Sequence, residues 1–160
     1  MENNSNIEIN ENEIREKIKQ DNIIKNGASW FLWIAVLSML NITFILLKQN
    51  ISFLVGLGMN YVILGVFHGI GIVEEIDLMA YGFAATYLFS AIYIWFWYKS
   101  KKENHKIYLA GIIIYVLDTL IIIFSKEWFS FAFHLFALWF LYVGYKTLLK
   151  KKKEIYITTE

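Results

Sequence analysis

At 160 residues the chain has room for one domain, and 58% of it is hydrophobic with a mean hydropathy of +0.47, too apolar for a soluble fold. Net charge is only +1, though its distribution matters more than the sum; no nucleic-acid partner is expected, and the absence of cysteine removes disulfides, thiolate metal sites and thiol catalysis. Without proline, any helix kink falls to glycine or a π-bulge.

Residues 1–26 are polar, with Glu2, Glu8, Glu11, Glu13, Glu16 and Asp21 set against Arg15, Lys17, Lys19 and Lys25. A secretory signal would open on positive charge and run directly into an apolar stretch. This segment does neither and reads as a retained, mostly disordered tail, with Ile14 and Ile18 offering a weak apolar stripe. Five apolar runs follow, at about 27–47, 51–73, 78–98, 107–124 and 128–149. Each is near the ~20 residues that cross a ~30 Å hydrocarbon core. Backbone in hydrocarbon must satisfy its own hydrogen bonds, so these runs predict helices. The expected fold is all-α: an integral membrane bundle of about five transmembrane helices over 27–149, closed by a basic tail at 150–160.

Lysine and arginine set the topology. Lys99, Lys101, Lys102 and Lys106 occupy the third loop, and Lys146 with Lys150 to Lys153 the C-terminal end. The positive-inside rule makes that side cytoplasmic. Five full crossings put the N-terminus outside, with ten basic residues inside and five outside. A re-entrant second run, rich in glycine, would instead put the N-terminus inside, with thirteen against two. The length of that run favours five crossings. Trp95, Trp97, Tyr98, Tyr142 and Tyr145 flank the basic side, and Trp30, Trp33 and Trp128 are expected near the other boundary.

Within the runs and away from their ends, His68, Asp118 and His134 are the side chains that titrate near neutral pH. Ionisable groups at membrane depth are costly and face the bundle interior, so each is a candidate site residue. Asp118 lies eight residues before Lys126 and His134 eight after it, which predicts that they meet across the last hairpin. The same register sets Ile122 beside Ser130, Tyr115 beside Ala137, Gly111 beside Leu141 and Tyr108 beside Gly144, matching large residues to small. Counting from the outer loops puts His68 at similar depth, about 9 Å below the boundary. Gly65 and Gly69, a GxxxG with Gly58 on the same face, predict close packing of the second helix. Asn41 and Asn60 are expected to bond between the first two helices.

His68, Asp118 and His134, with Tyr115 beside them, form the possible intramembrane polar site. Two histidines and a carboxylate suit a metal site, a haem axial pair or a proton relay, but they lie on separate helices without a second ligand at i+3 or i+4. A buried Asp–His hydrogen bond that locks the hairpin is the simpler reading, and no metal or cofactor is expected. The HExxH, GxSxG and GxxxxGK[ST] signatures do not occur, so no enzyme is expected.

The stretches GASWFLWIAVLSMLN (27–41), FLVGLGMN (53–60), IYVLDTLIIIF (114–124) and EWFSFAFHLFALWFLYVG (127–144) carry Tyr115-x-x-Asp118 and then Phe133-His134-x-Phe136-Ala137-Leu138. In these the chain resembles an uncharacterised family of small bacterial multi-pass membrane proteins. The resemblance implies a bacterial cytoplasmic membrane and no particular activity. The expected function is a non-enzymatic membrane component that meets the lipid bilayer and either a second copy of itself or another membrane protein. The rival is a small proton- or cation-handling transporter or channel that uses Asp118 with His68 and His134.

Overall fold

The computed structural model describes residues 2–48 and 56–158. They form five helices: α1 (Glu2–Leu46), α2 (Gly58–Val73), α3 (Met79–Lys101), α4 (His105–Ser125) and α5 (Trp128–Thr158). No strand occurs among the described residues. The fold is an all-α bundle.

Short polar turns set the helix ends. Asp77 Oδ1 accepts the Met79 amide at 3.0 Å and opens α3, and Asn104 Oδ1 accepts the Ile107 amide at 3.2 Å and opens α4. Glu75, Glu103 and Lys126 turn the chain in the left-handed region with φ of 54°, 59° and 58°. Each is a charged residue doing what glycine more often does after a helix.

Four stretches are long and apolar enough to cross a membrane: Glu11–Leu46, Met79–Lys101, His105–Phe124 and Trp128–Glu154. They form a ring in the order α1, α3, α4, α5, each antiparallel to its neighbours. Phe31 of α1 meets Tyr93 and Phe96 of α3 and Tyr108 of α4, and Trp30 stacks on Phe140 of α5 at 5.0 Å. The core is therefore built largely of rings, with Tyr93, Tyr108, Tyr115 and Phe31 at 0–1% exposure. Aromatic pairs add edge-to-face attraction to dispersion, which matters where lipid supplies no hydrophobic drive between helices.

The second helix is where structure and sequence part. The second run was expected to be helical from 51, but α2 begins at Gly58 and has 16 residues, about 24 Å of rise. Residues 51–55 lie outside the described ones. Asn60, in the first turn of α2, donates to Ser90 Oγ of α3 at 3.2 Å. Ser90 is eleven residues into α3, so α2 starts about 17 Å below that end of the bundle and runs outward. It is a half-helix that packs on α3 and α4.

With the second run not crossing, both chain ends fall on one side. Lys151 of α5 binds Asp21 of α1 at 2.7 Å and Glu103 of the third loop at 2.5 Å, and Gln20 reaches Glu154 at 3.3 Å. This basic end therefore holds both termini, whereas five crossings would have separated them. The opposite, acidic end carries the Glu74–Asp77 turn. Trp30 and Trp33 belong toward the basic end rather than the other boundary, because α1 enters from there. The polar N-terminal segment is no loose tail but a direct continuation of α1. A nucleated helix extends at little cost, and Asp21 and Gln20 are held by α5.

The topology predicts labelling. Single cysteines at Lys17 and Lys101 should react from one side of the membrane, and those at Glu75 and Lys126 from the other. Lys17 reacting with the Glu75 side would contradict the four-crossing arrangement.

Candidate functional site

A helix that starts inside a bundle leaves its first amides without intrahelical acceptors. Leu57, the residue before α2, has no side chain that accepts a hydrogen bond. Acceptors arrive instead from other helices. The Leu57 amide donates to Ser38 Oγ of α1 at 3.2 Å. The Gly58 amide donates to Asp118 Oδ2 of α4 at 3.0 Å, and the Met59 amide to Asp118 Oδ1 at 2.8 Å. The Asn60 amide reaches the Leu57 carbonyl at 3.2 Å. One carboxylate thus caps a helix from another part of the chain, where the helix dipole favours negative charge.

Asp118 is 2% exposed, and His134 of α5 approaches it, with Nε2 3.2 Å from Oδ2. The other ring nitrogen fixes the tautomer. Nδ1 lies 2.7 Å from the Ser130 carbonyl, which can only accept, so Nδ1 carries a proton. The Nε2–Oδ2 contact then needs a second proton, bound to one partner or shared between them. The Tyr115 ring stacks on the imidazole with centroids 5.0 Å apart and planes 14° from parallel. Asp118, His134 and Tyr115 therefore form one contiguous group, joined by the first turn of α2.

His68 does not belong to it. It stands ten residues along α2 from Gly58, about 15 Å, and is exposed. It lines a surface pocket of about 370 Å³ at the acidic end with Phe67, Ile72, Glu75 and Asp77. Counting depth from the loops took the outer ends of α2 and α4 as level, whereas Gly58, fifteen residues before the end of α2, meets Asp118, only seven before the end of α4. Among the described residues no three His, Cys, Asp or Glu side chains are placed to hold a metal ion.

The small residues divide in the same way. A Cβ on Gly58 would lie 3.0–3.1 Å from the side chains of Ile121 and Ile122, so the capped end presses closely on α4. Gly111 gives its space to Phe31 of α1 and Phe96 of α3. Gly144 faces Tyr108 Oη and the Gly27 backbone, where α1 and α5 cross, and Ala137 is fully buried. Gly65 and Gly69 meet nothing: a Cβ on either has no neighbour within 4 Å among the described residues. They face outward from α2, and the GxxxG spacing packs against none of the described residues.

Sequence reading missed the capped amides, since backbone donors carry no residue signature. It also missed a polar stripe on α3, formed by Thr86, Ser90, Tyr93, Trp97 and Ser100 at i, i+4, i+7, i+11 and i+14. That periodicity was available. Asn41 donates to Tyr61 Oη at 2.8 Å, joining the first two helices, while Asn60 turns to α3.

No protein-family profile, curated protein or solved structure matches the chain.

Two predictions follow from this geometry. Gly144→Ala should destabilise the bundle by about 1–3 kcal/mol, since its Cβ would fall 2.9 Å from Gly27 Cα, whereas Gly65→Ala and Gly69→Ala should stay within about 0.5 kcal/mol. Reversible unfolding in bicelles measures both. Asp118→Ala strands two amides and an imidazole, while His134→Ala removes a single contact to the carboxylate. The aspartate change should therefore cost more, with a coupling of about 0.6 and at most about 1.7 kcal/mol in the double-mutant cycle. Equal costs, or strict additivity, would contradict the clamp.

Proposed function

We propose that the protein is a non-enzymatic component of the bacterial cytoplasmic membrane, which holds a re-entrant half-helix against a four-helix bundle and serves as an assembly partner for another membrane protein or a second copy. One observation carries this reading: the buried Asp118 carboxylate is engaged by the Gly58 and Met59 amides and by His134. Its oxygens are occupied by the protein's own donors, which suits an anchor better than a site that must bind and release a substrate ion.

The bacterial membrane is supported by the resemblance carried on Tyr115, Asp118 and Phe133 to Leu138. Orientation is supported by charge. With both termini and the third loop on one side, thirteen of the fifteen basic residues gather there and two, Lys48 and Lys126, lie opposite. The positive-inside rule then makes the basic end cytoplasmic.

Reconstitution tests the reading against the transporter that would use Asp118. Vesicles holding the wild-type protein should pass protons and monovalent cations no faster than empty ones. Amide exchange at Gly58 and Met59 should be slow, and in Asp118→Ala should rise by about tenfold or more while α4 stays protected. Wild-type flux that Asp118→Asn abolishes with the fold intact would replace this proposal with ion handling.

A further inference from the structure

Buried polar atoms in folded proteins find partners in almost every case, from the protein or from ordered water. Among the described residues, five solvent-shielded side-chain atoms have no protein partner: Asn60 Oδ1, Tyr93 Oη, Trp97 Nε1, Ser100 Oγ and Tyr108 Oη. Tyr108 Oη is wedged against the Gly27–Gly144 crossing. The other four are aligned. Tyr93, Trp97 and Ser100 belong to the polar stripe of α3, whose five members fall within about 80° of arc at 100° per residue. Asn60 joins the stripe through its bond to Ser90.

The two ends of the stripe are informative. At the inner end the Tyr93 ring meets Tyr115, centroids 6.1 Å apart, and Tyr115 lies on His134. At the outer end the Ser100 carbonyl accepts the Glu103 amide at 2.9 Å, and the Glu103 carboxylate holds Lys151 together with Asp21. That junction is partly exposed, with side-chain exposures of 21% for Lys151, 33% for Glu103 and 37% for Asp21. Unpaired polar atoms on one face of α3 and on Asn60 thus extend from a charged, partly exposed mouth at the basic end toward the Asp118–His134 clamp.

The chemistry of the four atoms selects what would satisfy them. Trp97 Nε1–H only donates, Asn60 Oδ1 only accepts, and Ser100 and Tyr93 do both. An anion would be refused by Asn60 Oδ1 and by Asp118, and a bare cation by the indole N–H. A small neutral molecule that donates and accepts fits all four. We propose that this stripe binds a file of water reaching from the basic end to the clamp, which gives the proton between Nε2 and Oδ2 a route to one aqueous side.

The chain has no cysteine, so single replacements report without background. Ser100→Cys and Ser90→Cys would probe the mouth and the inner part of the file. Leu88→Cys, on an outward-facing residue 72% exposed and two positions from Ser90, serves as the lipid control. Full-length variants in oriented vesicles are treated with silver ion or a small cationic methanethiosulfonate from each side in turn. Thiols react as thiolates, which hydrocarbon suppresses, so both serine-site cysteines should be modified from the basic side about tenfold or more faster than Leu88→Cys. They should also react faster from the basic side than from the acidic side. If Ser90→Cys does not fold, Tyr93→Cys takes its place as the inner reporter. Rates no faster than the lipid control, or an inner reporter reached only from the acidic side, would overturn the proposal.

Discussion

A helix that begins inside hydrocarbon has to find acceptors for its first amides, since neither lipid nor the preceding turn supplies them. Here that requirement is met by a carboxylate sixty positions away in sequence from the amide that it holds. The consequences spread to every helix. Gly58 must be small for its amide to reach Asp118 past Ile121 and Ile122. His134 must sit level with Asp118, which fixes the register of α4 on α5. Ser38 must present its hydroxyl from α1, and Ser90 must hold Asn60 from α3. Asp118 is tolerated at 2% exposure because a helix N-terminus faces it and a proton lies between its Oδ2 and His134 Nε2.

The ring of four long helices is built on unequal partners. Phe31 occupies the space left by Gly111, and Tyr108 reaches the gap left by Gly27 and Gly144. At both of these approaches a glycine on one helix lies beside an aromatic ring from another. Stacked and tilted rings then fill the centre, with Tyr93 meeting Phe31, Phe89, Phe96 and Tyr115. Dispersion between such surfaces, rather than the expulsion of water, distinguishes packed protein from lipid.

The helices and the last hairpin were legible in the sequence for simple reasons. Apolar length reports a helix, and equal distances from a turn put Asp118 and His134 at one depth. Charge was legible too, since the thirteen-to-two division of basic residues pointed to the re-entrant arrangement, and the apolar length of the second run argued against it. Length misled because hydropathy does not distinguish a segment that crosses from one that enters and returns. His68 was displaced for another reason, since its depth was counted from two loops taken as level while α2 reaches farther outward from Asp118 than α4 does. Gly65 and Gly69 showed a spacing used for helix contact, but spacing does not say whether a partner within the chain exists.

The first helix has a mechanical side. As an unbroken element of 45 residues without proline, α1 is a rod about 68 Å long, of which a bilayer core takes about 30 Å. The remainder stands on the basic end, so the rod is a lever with its fulcrum at the membrane surface. Helices tilt readily by tens of degrees in a bilayer, and a change of about ten degrees would sweep the arm's tip through roughly 7 Å. The ion pair from Asp21 to Lys151 lies at the base of that arm and acts as its stay. A force on the arm therefore loads this ion pair and the Gln20–Glu154 contact together with the continuous helix that runs into the core.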